Sequence, residues 1–62
     1  MSNGDDAYKR RFLDRLVDHH GINYRDAAII TINTLTDDYH IPSTPELDAD
    51  NSAMMYRQDQ SL

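Results

Sequence analysis

Cysteine is absent from the 62 residues, so the chain can have no disulfide, no thiolate metal site and no cysteine nucleophile. A chain without disulfides suits a reducing compartment. Glycine is almost absent too, and Gly4 and Gly21 alone cannot build a phosphate-cradling loop. No apolar run approaches the roughly 20 residues that span a bilayer. Residues 1–6 lack the basic segment and following apolar stretch of a secretory leader. Together these absences predict a cytoplasmic protein, of a cell or of an element replicating inside one, with no membrane contact. Basic residues are also few. Eleven acidic residues against six basic ones leave a net charge of −5. That balance argues against a broad phosphate-binding surface, which rests on lysine and arginine.

A chain this short is one domain at most, and it buries a smaller share of its surface than a larger domain does. Small scaffolds usually need a disulfide, a metal or another chain to become stable. With disulfides excluded, association is the expected remedy.

What is present reads as helix. Residues 1–4 look like a loose terminus, and Asp5 or Asp6 suits the amides and positive dipole end of a first helix. Tyr8, Phe12, Leu13, Leu16 and Val17 then fall on one helical stripe. Arg10 with Asp14, and Arg15 with Asp18, are spaced to pair along the surface. His19 and His20 occupy the last turn, where a partly positive ring is favoured. Gly21 follows, where a left-handed residue is wanted, so that Ile22 folds back on Val17. Asn23 caps the next helix, with Asp26 three residues on in a near capping box.

The second segment places Ala28, Ile32, Leu35 and Tyr39 on one stripe. Residues 29–36 are rich in isoleucine and threonine, which also suits a strand. Alternation breaks at Leu35, and the upstream cap favours helix. Pro42 ends the segment, because Ile41 before it is pushed towards an extended conformation. Thr44, Pro45 and Glu46 can open a short helical turn. Asp48, Asp50, Asn51 and Ser52 form a polar stretch, and one of the last two caps a final helical piece from 53 to 60. The expected fold is therefore all-α. A helical hairpin (about 6–20 and 24–40, within 1–41) is followed by an extended Pro-containing linker and a short C-terminal helical segment (within 42–62).

Candidate chemistry is sparse. His19, His20 and His40, with Asp37 or Asp38, are the available metal donors. Adjacent histidines point to different sides of a helix, however, and zinc needs three or four convergent ligands. No metal and no cofactor is expected. The carboxylate pairs Asp5/Asp6 and Asp37/Asp38 read as caps or surface, and a chain this small can hardly build a pocket that perturbs their pKa. An enzyme is not expected. Lys9, Arg10, Arg11 and Arg15 form a basic cluster, a candidate nucleic-acid contact, but the second helix lacks the outward basic residues of a recognition helix. The aspartates are interleaved with arginines rather than arrayed densely as a DNA mimic would require.

Two helices cannot enclose a core, since each apolar stripe keeps an open flank. A folded-back tail, a second copy or a different protein must cover it. This argument nominates Tyr8, Phe12, Leu16, Ile32, Leu35 and Tyr39 as partner-binding residues. Met54, Met55 and Tyr56 join them, because methionine adapts to irregular grooves and tyrosine is enriched at interface hot spots. The expected function is a small adaptor or inhibitor of a larger protein, of the kind phages and mobile elements encode. The alternative is a structural subunit of a virion or other large assembly. A dimeric DNA-binding regulator ranks third.

Overall fold

The π-helical turn at Arg15–His19 sets the layout of the computed structural model, which describes residues 3–41 and 43–61, with side chains for 6–41 and 43–60. It continues α1 (Asn3–Asp14) without a break and is followed by α2 (Tyr24–Leu35) and α3 (Pro45–Ser61). All three elements are helical, and no strand occurs among the described residues. Met1, Ser2 and Pro42, assigned above to the terminus and the linker, lie outside the described residues, as does the side chain of Asp5. Asn3 and Gly4 are already helical, so Asp5 and Asp6 sit inside the first turns rather than at the cap.

In the π-helical turn the amide of His20 donates to the carbonyl of Arg15, five residues back, at 3.3 Å. The Ile22 amide donates to Leu16 O at 3.1 Å. This closure is one residue wider than a Schellman motif, so Ile22 reaches back past Val17. Gly21 makes the reversal at φ +67°, a conformation that is unfavourable for a residue with a Cβ. Asn23 then caps α2. Its Oδ1 accepts from the Asp26 amide at 2.9 Å, and its Nδ2 donates to Asp26 Oδ2 at 3.0 Å.

Two boundaries differ from expectation. α2 stops at Leu35 instead of running to about 40. Thr36 turns its hydroxyl onto Ile32 O at 2.6 Å, and Asp37 Oδ1 takes the Tyr39 amide at 2.9 Å. These short polar side chains compete with the helix for its backbone groups. α3 is a single 17-residue helix rather than a turn, a polar break and a short segment. Thr44 caps it, accepting from the Leu47 amide at 3.2 Å, and Pro45 occupies the first position. Asp48 and Asp50 stay helical because their carboxylates find partners on other elements, which outweighs their low intrinsic propensity.

α2 and α3 both pack against α1 and its π-helical end. The core consists of Phe12, Leu16, Ile22, Ala27, Ala49 and Ala53. Phe12 and Leu16 are wholly buried, as their stripe predicts, and Tyr8, Leu13 and Val17 pack around them. The stripe assigned to α2 is rotated by about one residue. Ala27 and Thr31 face inward, Ala28 and Leu35 are half-buried, and Ile32 and Tyr39 are exposed. Small residues allow the helices to approach closely, and Thr31 satisfies its buried hydroxyl on Ala27 O at 2.7 Å. Likewise α3 buries Ala49 and Ala53, four residues apart, and leaves Met54 and Met55 outside. The C-terminal segment thus lies over the flank that the first two helices leave open.

Candidate interaction surface

The basic residues of α1 and its π-helical end meet the acidic residues of α3 in a ladder. Arg11 Nε donates to Glu46 Oε2 at 3.0 Å. The Tyr8 hydroxyl donates to Asp48 Oδ2 at 2.7 Å, and His40 Nε2 reaches the same oxygen at 2.6 Å. Asp48 is only 7% exposed, so these two partners are what make its burial tolerable. Arg15 grips Asp50 with Nε and an NH2 nitrogen, at 3.0 and 3.2 Å. The expected partner of Arg15 was Asp18, and the longer reach to α3 replaces that local pair. Arg10 does pair with Asp14, at 3.9 Å. On the other side of α3 the Tyr56 hydroxyl donates to Asp26 Oδ2 at 2.7 Å, tying α3 to the start of α2.

These bonds shift the titrations. Burial, then donation to Asp48, pushes the Tyr8 phenol up to about 12. The Arg15 guanidinium, then His20, pulls the Asp50 carboxyl down to about 2. Bonds from Tyr56 and then Asn23 lower the Asp26 carboxyl. All of these groups are held in one protonation state by fixed partners.

The widened turn draws the rings of His19 and His20 together, edge to face with centroids 4.8 Å apart, although neighbours on an α-helix diverge. Donor atoms of His19, His20 and Asp50 lie within 4.8 Å of one another. Asp50 and His20 are already engaged, however. Arg15 occupies both oxygens of Asp50. His20 Nε2 lies 2.7 Å from Asp50 Oδ1, and its Nδ1 faces an Arg57 NH2 nitrogen at 3.3 Å. That pattern assigns the proton to Nε2. Two guanidinium groups beside the cluster also oppose a cation there. The arrangement is a clamp joining the turn to α3. An open depression nearby is lined by Arg11, Asp14, Arg15, Asp18 and Glu46, without the apolar walls of a small-molecule site.

Of the basic residues nominated for nucleic acid, Arg11 and Arg15 are bonded to acids of α3, Arg10 pairs with Asp14, and Lys9, Arg10 and Arg11 are exposed. The residues nominated for a partner divide into two sets. Phe12 and Leu16 are core, and Tyr8, Leu35 and Tyr56 are half-buried against it, so in the folded chain these five support the fold. Ile32, Tyr39, Met54 and Met55 are exposed. The sequence reading missed four more exposed large apolar residues, namely Tyr24, Ile29, Ile41 and Leu47. For Ile29 and Leu47 the signal was that they fall roughly opposite the buried Ala27 and Thr31 on α2 and the buried Ala49 and Ala53 on α3, whereas Tyr24, on the same side as Ala27 and Thr31 at the start of α2, and Ile41, on the connector, carried no such signal. All eight lie on α2, on the connector between α2 and α3, or on α3, and none is on α1. On α3, Leu47 and Met54 are seven residues apart on its outer side, with Asn51 between them and Met55 beside Met54. No helix among the described residues is long and apolar enough to cross a membrane. The chain matches no protein-family model, no curated protein and no solved structure.

Proposed function

We propose that this chain is a non-enzymatic protein-binding module, a small adaptor or inhibitor that lays the outer side of α3 on a larger protein. One observation carries the reading: large apolar side chains are more numerous on the surface than in the core. Among the described residues only Phe12, Leu16 and Ile22 are large and apolar and buried, against eight large apolar ones exposed. Single exposed apolar residues are ordinary, but clustered ones mark interaction surfaces. Here Leu47, Met54 and Met55 share the outer side of α3, while the outward residues of α1 are mainly charged. Leu47, Met54 and Met55 form a short adaptable anchor of the kind that fits a groove. The engagement of Asp26, Glu46, Asp48 and Asp50 by fixed partners supports a non-enzymatic role.

A second reading has its own support. Tyr39 and Ile41, on the connector, are 92% and 86% exposed. In a structural subunit of a large assembly this loop would insert between neighbours.

A photo-crosslinking amino acid placed at Met55, at Tyr39 or at Lys9, in cells that naturally make the chain, tests both readings. The adaptor reading expects one dominant adduct of defined mass from position 55 and none from position 9. The subunit reading expects position 39 to crosslink into particles. Equal crosslinking from positions 55 and 9 would overturn the assignment to α3.

A further inference from the structure

The side of α2 that faces away from the core carries a row of its own. Arg25, Ile29, Ile32 and Thr36 are all exposed. Their spacing of four, three and four residues aligns them along one edge of the helix, the pattern by which two helices pack side by side. From Ala27 to Thr36 there is no charged residue, in a chain where 27% of residues are charged. The charges stand at the two ends of the row. Arg25 opens it, and Asp37 and Asp38 follow its last residue, all three exposed.

We propose that this face pairs with the same face of a second copy of the chain, antiparallel, about a two-fold axis crossing the middle of α2. Such an interface is self-complementary, so residues pair by reflection in sequence about the axis. With the axis between Ile30 and Thr31, Ile29 of one copy meets Ile32 of the other. Arg25 then meets Thr36, within reach of Asp37 and Asp38 beyond it. Both ends of the contact carry opposite charges, and the apolar residues lie between them. A parallel pairing would set Arg25 against Arg25 and the aspartates against each other. This charge complementarity, supplied by the two ends of one helix, selects a second copy as the occupant. A chain of this size without disulfides also gains most from such an association. A 12-residue helix is about 18 Å long. That is short for a standard interface of about 800 Å² per partner, so the pairing is reversible and concentration-dependent. It uses a different face from the α3 anchor and stands or falls separately from it.

Sedimentation equilibrium of the full chain over a wide concentration range tests the proposal. The mass is expected to rise from 7.2 kDa towards twice that value. Ile32→Asp should hold it at the single-chain mass throughout, with helical circular dichroism unchanged, because Ile32 lies outside the core. Arg25→Glu and Asp38→Arg should each weaken association by about tenfold, through loss of two exposed ion pairs and the like charges that replace them. Mixing these two variants should restore it, since a mixed pair regains opposite charges at both ends. A fixed mass of 7.2 kDa for the unaltered chain would overturn the proposal, as would undiminished association of Ile32→Asp. A mixture no tighter than either charge variant alone would overturn the antiparallel geometry.

Discussion

Asp50 holds its proton far more weakly in the folded chain than a free carboxyl would. Its pKa lies at about 2 against an ordinary value of 3.8, because Arg15 and then His20 bond the carboxylate. A depressed folded pKa adds stability above the unfolded value, and that stability is lost as pH falls through the folded one. The window is therefore about pH 4 down to about pH 2. Asp26, lowered by Tyr56 and Asn23, acts in the same direction. Urea midpoints should drop across this window, and Asp50→Asn should make the drop shallower while lowering the midpoint at neutral pH. A drop of equal steepness in the variant would assign the acid sensitivity to other carboxylates. No such pairing was legible in the sequence. Arg15 and Asp50 are 35 residues apart, as are Arg11 and Glu46, and Tyr8 and Asp48 are 40 apart. Charge spacing along one helix offered Asp18 to Arg15, and only the fold could offer Asp50.

At the level of the helix, local signals were readable and facial ones were not. Asn23, Thr44 and Gly21 do what their types and positions imply, because a cap or a left-handed reversal is decided within about four residues. Which side of a helix turns inward is decided by its neighbour. Reading α2 by its largest apolar residues put Ile32 on the packed stripe, whereas close packing on α1 selected Ala27 and Thr31, and on α3 it selected Ala49 and Ala53. The usual ranking of core substitutions should therefore be inverted on α3. Ala53→Leu adds bulk where the helices touch and should destabilise by about 1–3 kcal/mol. Met54→Ala and Met55→Ala, out on the surface, should change stability by about 0.5 kcal/mol or less. Denaturant titration of the three variants measures this directly. A large loss from either methionine change would mean that α3 buries a different side from the one described.

At the level of the whole molecule, the open flank of the hairpin has its cover within the chain. α3 contributes Ala49 and Ala53 to the core. It also supplies the carboxylates that partner Tyr8, Arg11, Arg15, His20 and His40. Without α3, Phe12 and Leu16 would regain solvent contact, and two arginines would lose their acids. A chain ending at Thr44 should therefore show weak helical circular dichroism and a broad thermal transition in place of a sharp one. Isolated helices of this length are marginal in water and depend on tertiary packing. A synthetic peptide of residues 45–62 added in excess should restore both helicity and cooperativity, because the missing contacts are made by one continuous helix. A sharp transition in the truncated chain alone would show that α1 and α2 suffice. The apolar groups of α3 would then have to be explained wholly by what binds them from outside.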